Sequence, residues 1–241
     1  MNEKLNEEEK NYEILNDIEA DKIDYTFKII VIGNAGVGKS CLAIKASKNI
    51  FDLNYQTTIG VEFFDLIIKL KENKKIIKLQ IWDTCGQEIY RSLISTYYKK
   101  TSLALIVYAI NDQNSFNNIE SWVKDLRANS NPDVKIFLIG NKADLEDKRQ
   151  VTRENGEKFY RDHKLSFFTE TSAKTGFNVK NIFIEAAKVL YEQHIKMKDR
   201  ISRPDSIGHL IIDDGKKNGT ENSENEDDSE VKTKKKGFCC L

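Results

Sequence analysis

The run GNAGVGKS, Gly33 to Ser40, follows directly on the apolar stretch FKIIVI. Gly33 and Gly38 enclose four residues, and a lysine and a serine come next, which is the spacing of a phosphate-binding loop. The chemistry needs that spacing. Glycines let consecutive backbone N–H groups point inward at bound phosphates. A helix beginning near Lys39 adds the positive end of its dipole. Lys39 then reaches the β- and γ-phosphates, and the Ser40 hydroxyl ligates Mg²⁺. The expected nucleotide-contacting run is Gly33, Asn34, Ala35, Gly36, Val37, Gly38, Lys39 and Ser40, with Cys41 beside it. By itself the run specifies a nucleoside triphosphate and leaves the base open.

Three further clusters address the base and the reaction. WDTCGQE, Trp82 to Glu88, follows the strand-like KLQI. Asp83 at a strand end suits direct or water-mediated contact with Mg²⁺. The Gly86 N–H is free to approach a γ-phosphate. The Gln87 amide both donates and accepts, so it can orient an attacking water; Gln87 and Lys39 are the expected catalytic residues. NKAD, Asn141 to Asp144, follows VKIFLIG, and ETSAK, Glu170 to Lys174, follows LSFF. Asp144 can accept two hydrogen bonds from a guanine edge; adenine lacks that pair of donors and would strand the carboxylate. The Ala173 N–H, next to Ser172, can meet the guanine carbonyl. The stems of Lys142 and Lys174 can pack on the base faces.

These clusters need elements to position them. Strand signals fall at 26–32, 61–70, 76–82, 103–110, 134–139 and 165–169, and helical patterns at 39–49, about 114–129, 152–163 and 178–197. KENKK joins 61–70 to 76–82 as a polar hairpin turn, and Thr152 reads as a helix entry. Everything else alternates strand and helix. The expected fold is α/β: six strands in a mostly parallel sheet with helices on both faces, ligands sitting at the carboxyl ends of the strands.

The chain has 241 residues, with 38 basic against 38 acidic side chains and a net charge of zero. That balance argues against nucleic acid as the main partner. Residues 1–24 and about 198–241 are too polar to bury a core and read as flexible, leaving 25–197 as the domain; a short helix is expected around 12–18. The N-terminus lacks the apolar core of a secretory signal, and LALIVYAI, Leu103 to Ile110, is too short to span a bilayer. The four cysteines form no disulfide framework, which suits a reducing compartment.

In their order, the clusters resemble the signature of the Ras-superfamily small GTPases, and within them the Rab family, over about residues 26–195. IGVEF (Ile59 to Phe63), KLQIW (Lys78 to Trp82), YYKK and the terminal cysteine pair carry the Rab likeness. The resemblance implies a GTP/GDP switch that hydrolyses GTP with Mg²⁺ and acts in vesicle trafficking. It makes Thr58 the loop threonine that ligates Mg²⁺ with Ser40 and Asp83. It sets Phe51 against the base and Tyr55 over the phosphates. Ile59, Phe63, Trp82 and Tyr97 become effector-facing; core packing is the other reading of the aromatic three, and the two are compatible. The implied partners are an exchange factor, a GTPase-activating protein, an escort protein, a GDP-dissociation inhibitor and effectors. Geranylgeranyl groups on Cys239 and Cys240 would anchor the protein to the cytoplasmic face of an intracellular membrane, with a cytosolic pool. Lys234 to Lys236 add attraction to anionic headgroups, and HLIIDD, His209 to Asp214, offers an escort contact or is incidental. Cys85 and Ala35 stand where family members commonly carry alanine and, in Ras, glycine. Cys85 is expected to put a thiol near the phosphates, and together they keep open a second reading, a GTP-loaded tether that does not hydrolyse. A nucleotide kinase fits less well, because NKAD and ETSAK accompany the phosphate loop.

Overall fold

A computed structural model describes residues 11–15, 22–52, 57–87 and 91–201. Tyr55, HLIIDD, the basic run and the terminal cysteines lie outside the described residues.

Among the described residues the sheet has seven strands in the order β1-β3-β4-β2-β5-β6-β7. They are β1 (Tyr12–Leu15), β2 (Tyr25–Ile32), β3 (Val61–Leu70), β4 (Lys75–Thr84), β5 (Leu103–Ala109), β6 (Lys135–Asn141) and β7 (Phe167–Glu170). β2 pairs parallel to β4 and β5, and β6 pairs parallel to β5 and β7. β3 and β4 form the expected antiparallel hairpin. β5 is buried along its whole length, as its unbroken apolar run requires of a central parallel strand.

Among the described residues the helices are α1 (Lys39–Lys48), α2 (Arg91–Thr96), α3 (Gln113–Asn117), α4 (Ile119–Asn129), α5 (Arg153–Asp162) and α6 (Val179–Ile201). Side-chain alternation in the strands divides the core into two layers. Ile29 and Val31 of β2 share one cluster with Leu42 and Ala46 of α1 and Phe183 and Leu190 of α6. Ile30 and Ile32 share the other with Ile94 of α2 and with Trp122 and Leu126 of α4. Thr152 caps α5 by accepting from Asn155 N at 3.3 Å.

Two expectations need correcting. Around residues 12–18 the sequence suggests a helix within a flexible extension; the described part is instead a seventh strand, β1, antiparallel to β3. Its partners explain it. Ile14 lies opposite Ile68 and Tyr12 opposite Leu70, and both side chains pack on the first core layer. Lys71 N donates to Asn11 O at 2.9 Å, and Lys69 pairs with Glu13 across the strands at 3.8 Å. The pattern over 114–129 resolves into two helices, because Asp112 caps α3 through Asn114 N and Ser115 N and the chain re-enters helix after Asn118.

Candidate functional site: a phosphate cradle and a base pocket

All four sequence clusters lie where parallel strands end. β2 runs into the glycine loop, β4 into Cys85–Gln87, β6 into Lys142–Asp144 and β7 into Thr171–Lys174. Gly38 ends the glycine loop at φ +94°, a conformation open to glycine, and a side chain there would strike the Asn141 amide nitrogen at 2.4 Å. α1 begins at the next residue, so its unpaired N–H groups face the loop. Lys39 Nζ donates to Gly33 O at 2.9 Å and Asn34 O at 2.8 Å, holding a buried ammonium over the cradle.

An oxygen cluster sits beside it. Ser40 Oγ donates to Asp83 Oδ2 at 2.5 Å and lies 2.6 Å from Thr58 Oγ1, which reaches the same carboxylate oxygen at 3.4 Å. Asp83 is wholly buried, and its other oxygen, Oδ1, has no hydrogen-bond partner. Burial pushes this carboxyl up to about 6, against the pull of Ser40 and of Lys39. A buried, half-satisfied carboxylate flanked by two hydroxyls is short of positive charge, and an all-oxygen donor set suits Mg²⁺. The residues present therefore fit that ion, with Ser40, Thr58 and Asp83 as its holders.

Gly86 closes over the glycine loop: a Cβ there would lie 2.5 Å from Ala35 N and 2.3 Å from Lys39 Nζ. Only a residue without a side chain allows the two loops to touch. Gln87 follows, half-buried. A cavity of about 200 Å³ lies between Ala35, Gly36, Lys39, Ser40, Thr58 and Gly86. A second, of about 330 Å³, adjoins it at Gly36, Gly38 and Cys41 and reaches Phe51, Lys142, Asp144, Ala173 and Lys174. Ser172 Oγ donates to Asp144 Oδ1 at 2.5 Å, which orients that carboxylate on the pocket wall. Asn141 ties the parts together: its Nδ2 donates to Val37 O at 2.9 Å, and its Oδ1 accepts from Ala173 N and Thr171 Oγ1, each at 3.2 Å. The arrangement is a polar cradle for phosphates joined to a slot for a flat base.

A family model described as the Ras family matches residues 28–192. The chain belongs to the Ras family. It is thus a small GTPase switch domain with guanine nucleotides as its ligands.

Within this Ras-family domain Ala35, Gly36, Gly38, Lys39, Ser40, Cys41, Thr58, Gly86, Phe51, Asn141, Lys142, Asp144, Ala173 and Lys174 line the two adjoining cavities, while the Val37 side chain lies in the first core layer. Cys85 is the departure. It is 2 % exposed and joins the core layer of Ile30, Ile32 and Ile94, so its thiol faces away from the phosphates; its N–H donates to Gly60 O at 3.0 Å. Phe63 and Ile59 are exposed, at 62 % and 92 %. Phe63 meets Trp82 edge-on at 4.5 Å, and Trp82 lies 5.6 Å from Tyr97, both half-buried on the second core layer. Lys28 Nζ stands 3.8 Å over the Trp82 ring and donates to Tyr97 O at 2.6 Å. Sequence reading missed Trp122, whose indole N–H donates to Asn34 Oδ1 at 2.9 Å and moors the glycine loop to α4. The two are 88 positions apart in the chain, so no local signal could have joined them.

Proposed function

We propose that this chain is a Rab-type GTP/GDP switch held on the cytoplasmic face of an intracellular membrane, where it regulates vesicle traffic. The observation that carries the switch reading is Thr58, brought by the loop before β3 onto Ser40 and Asp83 at the phosphate cradle. A residue so placed senses whether the γ-phosphate is there.

The chain's own groups divide the work. Glycine-loop amides and Lys39 take the charge that develops on the transferred phosphoryl group. Gln87 orients a water whose oxygen attacks the γ-phosphorus while the bond to the β–γ bridging oxygen breaks, giving GDP and phosphate. Mg²⁺, when bound, neutralises phosphate charge at Ser40, Thr58 and Asp83. Asp144 reads guanine, and the Ala173 N–H, which donates to Asn141 Oδ1 at 3.2 Å, shares its hydrogen with the guanine carbonyl, with Lys142, Lys174 and Phe51 around the ring. Losing the γ-phosphate frees Thr58 and Gly86, and the loops at 50–64 and 84–98 relax. The exposed Phe63 and Ile59, with Trp82 and Tyr97 behind them, offer effectors an aromatic face that follows from that state.

No helix among the described residues is long and apolar enough to cross a membrane. Lipids on Cys239 and Cys240 supply the anchor in this reading, since two chains hold stably where one does not. An escort protein and a GDP-dissociation inhibitor would handle the lipidated protein, while an exchange factor and a GTPase-activating protein set its nucleotide state.

Single-turnover phosphate release tests the enzyme. Wild type should release phosphate slowly, and Gln87→Leu should bind GTP while releasing it far more slowly; equal rates would favour the non-hydrolysing tether. Fractionation tests the anchor. The double Cys239→Ser, Cys240→Ser variant should turn soluble with nucleotide binding intact, and one that still pelleted with membranes would place the anchor elsewhere.

A further inference from the structure

Arg149 follows the turn after Asp144 and lines neither the phosphate cavity nor the base cavity. All five of its N–H donors are used. Nε donates to Glu146 Oε1 at 2.8 Å and Nη2 to Glu146 Oε2 at 2.7 Å. Nη1 donates to Glu170 Oε1 at 2.7 Å and Nη2 to Glu170 Oε2 at 3.0 Å. The remaining Nη1 hydrogen goes to Val151 O at 2.9 Å. Such a fork on two carboxylates is open to arginine and closed to lysine, which has no planar pair of donors.

The two carboxylates differ in weight. Glu146 is on the surface, its side chain 68 % exposed, and a pair there contributes little. Glu170 is 7 % exposed by side chain and is the last residue of β7, directly before the loop Thr171–Lys174. The β6–β7 ladder runs out at Gly140 opposite Glu170. Just beyond that point the two base-facing loops are still joined by backbone, Ala143 N donating to Thr171 O at 2.9 Å, and by Asn141 Oδ1, which accepts from Thr171 Oγ1 and Ala173 N. Past Ala143, among the described residues, two side-chain links join the segments, Asp144 to Ser172 at 2.5 Å and Arg149 to Glu170 at 2.7 Å. They flank the short 3-10 turn Glu146–Lys148, so the segment that carries Asp144 is pinned at both ends to the segment that carries Ala173.

We propose that Arg149 is a positioning residue for guanine recognition: by latching the turn after Asp144 onto Glu170, it keeps Asp144 and the Ala173 N–H in register, and so sets both how long guanine nucleotide stays bound and how well its exocyclic amine is read. The proposal rests on guanine binding in the pocket between these loops. Asp144 faces that amine, so a loosened Asp144 costs GDP more than it costs inosine diphosphate, which lacks it.

The test measures dissociation of GDP and of inosine diphosphate from the full chain with Mg²⁺, for wild type, Arg149→Gln, Arg149→Lys, Glu170→Gln and Glu146→Gln, with ADP added for wild type and thermal melting of each. Arg149→Gln and Glu170→Gln should speed GDP release about tenfold or more, the loss of one charge-assisted fork. The preference for GDP over inosine diphosphate should shrink in both. Arg149→Lys should fall between them and wild type, and Glu146→Gln should stay within about twofold of wild type. GDP release within twofold of wild type in well-folded Arg149→Gln and Glu170→Gln would overturn the proposal. So would release of both nucleotides quickened by one common factor, which is what a merely structural ion pair gives. Failure of wild type to prefer GDP to ADP would instead remove the guanine reading itself.

Discussion

Asn141→Ala removes the side chain that joins the glycine loop, β6 and the loop after β7. Asn141 is 1 % exposed, and its amide makes three hydrogen bonds: to Val37 O, from Ala173 N and from Thr171 Oγ1. Alanine leaves the Val37 carbonyl and the Ala173 N–H buried without that partner. Each stranded group costs about 1–3 kcal/mol, so the loss totals roughly 2–6 kcal/mol; the Thr171 hydroxyl can rotate and adds little. The sheet and both core layers do not depend on this amide, so most of the loss should appear at the nucleotide. At about 1.4 kcal/mol per decade, GDP release should quicken by roughly 30-fold or more. Stopped-flow dissociation of a fluorescent GDP measures it, with thermal melting as the control for folding. Asn141→Asp separates the halves, because it keeps the acceptor for Ala173 and loses the donor to Val37; it should fall in between. GDP release from Asn141→Ala within threefold of wild type would refute the view that one buried amide couples the phosphate and base halves.

Two other outcomes follow from the same geometry. Chelating Mg²⁺ should speed GDP release from wild type by about tenfold or more and barely change Asp83→Ala, which has already lost the buried carboxylate that calls for a cation; equal acceleration in both would displace the ion from this cluster. Removing residues 1–18 takes β1 off Ile68 and Leu70 and uncovers about two partly buried side chains, so roughly 1–2 kcal/mol of stability and about 2–6 °C of melting temperature should go, with GDP release unchanged; an unaltered melting curve would mean that β1 contributes nothing.

The nucleotide site was legible because each of its parts is local. A glycine run after an apolar strand, or an Asp three residues past a strand-end Asn, encodes its own turn, and parallel strands bring such turns to one edge of the sheet. β5 was legible for a related reason: seven buried apolar residues have no other place than the centre. β1 was not. Tyr12 and Ile14 are too few among charged neighbours to signal a strand, and their strand state exists only against Ile68 and Leu70. Asn34 with Trp122 and Arg149 with Glu170 were hidden similarly, since each pair meets only after folding. Cys85 misled because position in a motif does not say which way a side chain turns. The residue beside Gly86, which closes on the glycine loop, points into the core.

The central claim is that this chain reads guanine through Asp144, and exchanging one oxygen for nitrogen tests it. Asp144→Asn keeps the shape and the acceptor that Ser172 holds, but it sets an N–H₂ donor toward the donors of the guanine edge. Titration of GDP and xanthosine diphosphate against wild type and variant, with Mg²⁺ present, measures the exchange. Wild type should strongly prefer GDP. Asp144→Asn should lose GDP affinity by about tenfold or more, from a mismatch of ~1–3 kcal/mol or greater, and gain relative affinity for xanthosine diphosphate, which carries a carbonyl where guanine has its amine. An unchanged preference for GDP in the variant would contradict the account and remove Asp144 from the base site.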